Sequence, residues 1–288
     1  MLDGKVVIVT GGGRGLGRSI ARSAAAAGAS VVVADTGVGL DGRAPSSQVA
    51  EAVVAEIVAG AGAAVAVTES VATVAGARTI VDATLDAFGA VHGVVCCAGV
   101  LRPAPFLDMT EDDFDVVLAT HVKGHFTMFQ AVAAAAVARS TPASLVGVSS
   151  GYVLGDPNRA NYRAAKAGVV ALVKSVALAG VDHGYRCNCI APIANTRMTE
   201  AAGMRIDGDP DDVAPLAVYL LSDRSAGVNG QVLTAVGNRI SSWRDPAEER
   251  SVRARDTRWT ADEVADAMPW LLGSASIVQV PDGGPDAS

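Results

Sequence analysis

Cysteine is scarce in this 288-residue chain: there are four, as Cys96-Cys97 and Cys187-x-Cys189, inside apolar runs. Neither spacing is that of a zinc site or of a secreted disulfide framework, so buried reduced thiols are expected rather than metal ligation or a disulfide. No metal centre is expected. Aromatic residues make up only 4% of the chain, and basic residues are not in excess: 23 Lys and Arg stand against 30 Asp and Glu, for a net charge of −7. That balance argues against nucleic acid as the main partner. Long apolar runs are also missing. Ala131–Ala138 is too short to span a membrane, and Met1-Leu2-Asp3-Gly4-Lys5 leads into a strand-like run rather than a signal peptide. A cytoplasmic protein without a membrane span is expected.

Half of the residues are hydrophobic, with Ala and Val dominant. This supports a sizeable core and one large α/β domain, with or without an appendage. Val6–Thr10 (VVIVT) is a short apolar run suited to a strand buried on both faces. The turn Gly11-Gly12-Gly13-Arg14-Gly15-Leu16-Gly17 follows, then an Ala-rich helix over Arg18–Ala27, then a second strand at Val31–Ala34 ending in Asp35. The unit reads β-α-β with a glycine turn at the helix N-terminus. Gly11, Gly15 and Gly17 let the backbone approach a pyrophosphate, whose charge meets the helix N-terminus. Asp35 stands where a carboxylate accepts from adenosine ribose hydroxyls. The spacing is T-G-x-x-x-G-x-G rather than GxGxxG, and an ordinary Gly-rich loop is the alternative reading.

Further strands are expected at Ala63–Val67, within Val91–Gly99, at Leu145–Ser149, at Tyr185–Ala191 and at Gly230–Thr234, with helices between them. Thr110-x-x-Asp113 is an imperfect capping box opening a helix that runs through His121. The pattern is that of a Rossmann-type doubly wound parallel sheet of about seven strands, with helices on both faces.

Val148–Gly168 (VSSGYVLGDPNRANYRAAKAG) carries the chemistry. Tyr162 and Lys166 lie one helical turn apart on one face. A free phenol with a pKa of about 10 is a poor base near neutrality, and bringing it to about 7 takes roughly 4 kcal/mol. An ammonium about 5 Å away supplies roughly 3 kcal/mol at an effective dielectric of about 20. A positively charged nicotinamide would supply the rest. Tyr162 is then a general acid/base, Lys166 lowers its pKa, and Ser149 holds the substrate oxygen. Taken alone, Y-x-x-x-K also arises by chance on any helix.

The glycine turn together with Ser149, Tyr162 and Lys166, in this order, resembles the short-chain dehydrogenase/reductase family over residues 1 to about 240. The resemblance implies several cofactor contacts. Leu16 belongs to the glycine turn, and Ser70-Val71 stands where the family usually has Asp-Val at the adenine. Ala98-Gly99 keeps the end of the usual Asn-Asn-Ala-Gly, with Cys96-Cys97 in place of the two Asn. Pro192 begins the nicotinamide side, and Thr196 is close to the Thr used on the nicotinamide amide. His121 occupies the position of an Asn that helps to hold a water in a proton relay; relay and plain packing both remain open for it. The long loop after Asp35, the run from Ile190-Ala191-Pro192 to Arg197-Met198-Thr199, and His121 are similar to one branch. That branch comprises the (3R)-hydroxyacyl-CoA dehydrogenase part of the peroxisomal multifunctional enzyme and bacterial 17β-hydroxysteroid dehydrogenases. It implies oxidation of a secondary alcohol on a bulky hydrophobic substrate, whether acyl-CoA, steroid, terpenoid or polyketide, by a homodimer or homotetramer.

Asp35 would repel a 2′-phosphate and favours NAD, whereas Arg14 is a position where NADP-using relatives often carry a basic residue; NAD is the expected cofactor. The rival readings are an NADPH-dependent ketoreductase and a nucleotide-binding protein without turnover. Thr199–Asp209 is expected to be a short substrate loop. Residues 241–288 form a C-terminal extension of mixed charge, a solvated surface rather than an anion-binding patch. Thr260-x-x-Glu263 caps a short helix to Met268, and Trp243, Trp259 and Trp270 are anchors against the body or a partner subunit. The end, 280–288, is expected to be disordered.

Overall fold

The apolar runs lie side by side in one sheet of the computed structural model, which describes residues 1–151, 155–201, 203, 206, 208–246, 250–253 and 258–272. In chain order the elements are β1 (Val6–Thr10), α1 (Gly15–Ala26), β2 (Ser30–Ala34), α2 (Gln48–Ala59), β3 (Ala63–Val67), α3 (Val74–Phe88) and β4 (Gly93–Cys96). Then come α4 (Glu111–Leu118), a π-helical turn (Ala119–Lys123), α5 (Gly124–Ala138), β5 (Ala143–Val148), α6 (Ala160–Ala179) and β6 (Tyr185–Pro192). The last are α7 (Arg197–Ala201), α8 (Pro210–Leu221), β7 (Val232–Val236), β8 (Arg239–Ser242) and α9 (Ala261–Leu272).

The strand order is β3-β2-β1-β4-β5-β6-β7-β8. β1 to β7 pair in parallel, and β8 joins β7 antiparallel. Helices cover both faces, which is why the strands read as unbroken apolar runs rather than alternating ones. The alternation survives in where each side chain points. Val7 and Val9 pack with Ile20 of α1, Val53 of α2 and Leu220 of α8 on one face. Ile8 packs with Ile80 of α3, Phe129 of α5 and Val173 of α6 on the other. All nine of these side chains are at most 1% exposed, so each face is a dry core.

The chain reverses its direction of winding at β1, which lies between β2 and β4. The crevice beyond the carboxyl ends of β1 and β4 is therefore where a doubly wound sheet binds its ligand.

Three features depart from the expected pattern. The sheet has an eighth strand, because Arg239–Ser242 turns back along β7. Behind it Trp243 packs on the core and donates its indole N–H to Thr234 Oγ1 at 2.7 Å. The helix expected to run unbroken through His121 is interrupted by the π-helical turn. Arg197–Ala201, at the edge of the expected substrate loop, forms one helical turn. The Thr110 capping box is complete: Thr110 Oγ1 accepts from Asp113 N and the Asp113 carboxylate accepts from Thr110 N.

The chain divides into two compact units, Met1–Trp243 and Arg244–Ser288, so the expected boundary at residue 240 falls inside β8. In the second unit, α9 begins at a capping box in which the Glu263 carboxylate accepts from Thr260 N at 2.9 Å, and it runs to Leu272 rather than Met268. Trp259 and Trp270 are 40% and 57% exposed. The expectation of disorder over 280–288 lies outside the described residues.

Candidate active site

The glycine turn, Asp35, Ser70-Val71, Ala98-Gly99 and the Pro192–Thr196 stretch each lie at or just beyond the carboxyl end of a strand in the sheet. After β1 the backbone turns through Gly11 (φ 63°) and Gly15 (φ 47°), in the left-handed region that glycine enters without strain. A Cβ on Gly11 would stand 2.6 Å from Ala98 N, and one on Gly17 would run into Gly11 O. The turn is thus pressed against the β4 loop and against itself. It delivers the N-terminus of α1, whose N-cap residue Arg14 makes no side-chain cap, so the first N–H groups of α1 point into the crevice. Leu16 packs against the core on the α1 face. The Arg14 guanidinium donates to Val38 O at 3.0 Å.

Asp35 follows β2. Its Oδ2 accepts from Gly13 N at 2.9 Å and its Oδ1 from Gly37 N at 2.7 Å. Beyond β3, Ser70 is exposed and accepts from Ala72 N at 3.2 Å. Val71 is buried, its carbonyl takes the Thr127 hydroxyl at 2.6 Å, and its side chain lies against Gly124. After β6, Thr196 Cγ2 lies 3.9 Å from where a Cβ on Gly15 would sit, which brings the Pro192–Thr196 stretch over the glycine turn. These residues fit a dinucleotide: a cradle that excludes side chains, a free helix N-terminus for the phosphates, and a fixed carboxylate at the second strand.

The candidate reacting groups stand at the end of β5, in the π-helical turn and in the first turns of α6. Tyr162 and Lys166 come together as the spacing requires, with the Lys166 nitrogen 5.5 Å from the centre of the Tyr162 ring. Asn161, fully buried, fixes the start of the helix. Its amide donates to Arg102 O at 2.9 Å and Asp113 O at 2.8 Å, and its Oδ1 accepts from Tyr162 N at 2.7 Å. Lys166 is 5% exposed and donates to Val148 O at 2.7 Å. Burial pulls its pKa down to about 8, against the upward pull of Cys189, Cys97 and Cys96.

The phenol does not follow the expected direction. Burial pushes the Tyr162 pKa above its ordinary value; the hydrogen bond with Ser150 and the charges of Arg163 and Arg159 pull the other way. Desolvation outweighs the neighbouring cations while the protein stands alone.

The two serines at the end of β5 have different partners. Ser149 is 2% exposed, and its hydroxyl donates to Lys166 O at 2.8 Å while its N–H pairs with Ile190 O. It ties β5 to α6. Ser150 is the serine hydrogen-bonded to Tyr162. Adjacent residues leaving a strand point to opposite faces, which is why the two neighbouring hydroxyls meet different groups.

His121 sits in the π-helical turn, a form found often at functional sites. Its ring meets Tyr162 edge-on at 5.4 Å, and its Nε2 lies 2.9 Å from Val100 O and 3.3 Å from Val100 N. Its buried Nδ1 has no partner among the described residues. Burial, with Lys166 next in weight, holds its pKa well below the ordinary imidazole value, so the ring is neutral. Gly99 has no room for a Cβ because the His121 ring lies over it. The four cysteines are free; Cys96, Cys187 and Cys189 are buried, and Cys97 is half-buried. Burial drives Cys97 and Cys189 up to about 12, so they remain thiols.

Residues 11–237 match the family model described as Enoyl-(Acyl carrier protein) reductase. The chain is 40% identical over 239 residues to a short-chain type dehydrogenase/reductase of Mycobacterium tuberculosis, covering 82% of this chain and 83% of that protein. It is 34% identical to the hydroxyacyl-CoA dehydrogenase ChsB1 of the same organism, covering 93% and 88%. It is 35% identical to the mouse peroxisomal multifunctional enzyme type 2, covering 92% of this chain but only 36% of that enzyme. Among solved structures, a short chain dehydrogenase from Mycobacterium avium superposes with a TM-score of 0.85 at 37% identity, over 94% of this chain and 96% of that one. A short chain dehydrogenase from Mycobacterium paratuberculosis bound to NAD gives 0.74 at 25% identity, over 82% and 97%. The chain belongs to the short-chain dehydrogenase/reductase family, whose members are oxidoreductases that use a nicotinamide cofactor.

Proposed function

We propose that the protein is an NAD-dependent dehydrogenase that interconverts a secondary alcohol and a ketone on a bulky acyl substrate of the 3-hydroxyacyl-CoA class. The observation that carries the reading is the convergence of Ser150, Tyr162 and Lys166 at the sheet edge that also holds the glycine turn. When bound, the nicotinamide accepts or returns a hydride and brings a positive charge to the site.

The side chains do the rest. The Ser150 hydroxyl holds the substrate oxygen beside the Tyr162 phenol, which takes the proton during oxidation and returns it during reduction. Burial disfavours the phenolate, so the Lys166 ammonium and the oxidised ring together make it accessible. The remaining N–H bonds of Lys166 would be available to the nicotinamide ribose of a bound cofactor. The turn Gly11-Arg14-Gly15-Leu16-Gly17 and the N-terminus of α1 take the pyrophosphate. Asp35 takes the adenosine ribose, Ser70 and Val71 border the adenine, and Ala98, Gly99, Pro192 and Thr196 border the nicotinamide side. His121, neutral and edge-on to the phenol, serves as a wall of the site with one acceptor nitrogen for a water.

NAD is favoured over NADP because Asp35 is fixed by two backbone N–H groups: a carboxylate there opposes a 2′-phosphate. The Arg14 guanidinium that would answer that phosphate is engaged with Val38 O. The acyl-CoA class is favoured over steroids because hydroxyacyl-CoA dehydrogenase ChsB1 is matched over nearly the whole length of both chains. Exposed Phe114 of α4 with Phe126 and Val137 of α5 support a homodimer or homotetramer. Residues beyond the sheet are read as an extension of the dehydrogenase domain. The test is a panel of 3-hydroxyacyl-CoAs of increasing chain length, with hydroxysteroids as the comparison, followed by NADH absorbance. Turnover of the acyl-CoAs with NAD is expected; turnover only with NADPH and a ketone would favour the ketoreductase reading.

A further inference from the structure

His125 lies on α5 one turn beyond His121 and is 1% exposed. Its Nδ1 stands 2.5 Å from His121 O and its Nε2 receives Val148 N–H at 3.1 Å. A carbonyl only accepts and an amide N–H only donates, so the tautomer follows: Nδ1 carries the proton and Nε2 is bare. Burial, with Lys166 next in weight, pulls the pKa down to about 3, which keeps the ring neutral and in that tautomer.

Val148 needs such a partner. β4 ends at Cys96, opposite Gly147, so Val148 extends past the strand that would have received its backbone groups, while Ser149 N turns to β6. The two stranded groups of Val148 are taken by two side chains. His125 receives the N–H, and Lys166 donates to the C=O at 2.7 Å. Gly147 makes room for this arrangement, since a Cβ there would stand 3.4 Å from His125 Cδ2 and 2.8 Å from Val173 Cγ2. An unbroken run of contacts therefore joins the π-helical turn to the lysine: His121 C=O, the His125 ring, the Val148 peptide, and the Lys166 ammonium.

We infer that His125 is a positioning residue for the Tyr162–Lys166 pair: its imidazole holds the Val148 peptide so that the Val148 carbonyl fixes the Lys166 ammonium beside the phenol. The inference rests on the acid–base role proposed for Tyr162. It involves no proton transfer through His125, which stays neutral throughout. The charged and titratable groups facing the pair are Arg159 just before α6 and Arg163 within it, His121 from the π-helical turn, Cys96 and Cys97 from β4 and its end, and Cys189 from β6. None of them lies within the His125–Val148 link.

The full-length protein carries the test in three variants. His125→Phe keeps the ring and loses both bonds. His125→Asn reaches His121 O but not Val148. His125→Gln places an acceptor where Nε2 stood. Two readouts are followed: the pH profile of kcat/KM for oxidation, and the ultraviolet titration of the Tyr162 phenolate, isolated by subtracting a Tyr162→Phe titration. In His125→Phe and His125→Asn the phenol should titrate about half a unit to one unit higher, the change expected if the ammonium drifts by about 2 Å. The acid limb of the profile should move up with it, and His125→Gln should return both toward the wild type. The inference is overturned if His125→Asn lowers thermal stability while the Tyr162 titration stays where the wild type has it. Should Tyr162→Phe itself keep full turnover, the acid–base reading fails; the phenolate titration still reports whether His125 places the lysine.

Discussion

The Lys166 ammonium lies 5.5 Å from the centre of the Tyr162 ring while it donates at 2.7 Å to the carbonyl of Val148. It is held by the strand rather than by the phenol. A charge fixed in this way would act on the phenolate through space. Burial works against the same phenolate. In the proposed reaction, the positive charge of the oxidised cofactor would add to that of Lys166 in favouring the phenolate.

The two neighbouring serines should behave differently. Ser150→Ala should lower kcat by about a hundredfold with little change in cofactor affinity, since it removes a hydrogen bond at the reacting oxygen. Ser149→Ala should cost about 1 kcal/mol of stability, because it leaves Lys166 O without its donor, and should lower kcat far less. Steady-state kinetics and urea melts of both variants decide between them. Equal losses of kcat would place both hydroxyls in the reaction.

Asp35→Ser should relax the choice of cofactor. It removes the carboxylate that two glycine N–H groups hold at the end of β2. The kcat/KM ratio of NAD to NADP should fall by about tenfold or more, in line with about 1.4 kcal/mol of lost discrimination. An unchanged ratio would mean that Asp35 only braces the glycine turn.

Much of this site was legible because single residues carried strong local constraints. Thr10-Gly11 and the glycines after it could only be a tight turn, and the unbroken VVIVT before them only a strand covered on both sides. Tyr162 and Lys166 were legible because a helix brings residues four apart together. What escaped was set by contacts distant in sequence. The different partners of Ser149 and Ser150 come from the way β5 leaves the sheet. The π-helical turn leaves the 3.6-residue pattern around His121 almost unchanged. β8, with Arg239, Ser241 and Ser242, is too short and polar to read as a strand, and its place comes from pairing with β7. His125 sits among helix-forming residues, and its partner Val148 lies more than twenty positions on.

Stability should fall as the solution is acidified, partly through His125. Its folded pKa of about 3 lies below the ordinary 6.5, so below pH 6.5 the unfolded chain binds a proton that the folded chain refuses. The stabilising contribution is complete above 6.5 and is lost as pH falls toward 3. At pH 5 this group alone should cost the wild type about 2 kcal/mol. Urea unfolding of wild type and His125→Gln at pH 7 and pH 5 should show the gap between them narrowing by about that much. A gap independent of pH would contradict a neutral buried imidazole.

Gly11→Ala should damage both fold and cofactor binding. A Cβ there meets Ala98 N at 2.6 Å, and the backbone is at φ 63°. A loss of about 1–3 kcal/mol is expected, with NAD affinity, read by nucleotide fluorescence, falling in parallel. Gly89→Ala is the control: it also has positive φ, but open space around it and no place in the crevice. It should lose stability and keep NAD affinity.

The most direct measurement compares NADH production from a 3-hydroxyacyl-CoA by the wild type and by Tyr162→Phe, with NAD binding checked in both. The account predicts that the variant binds NAD as the wild type does and turns over at least about a hundredfold more slowly. A Tyr162→Phe enzyme that keeps the wild-type rate would contradict it.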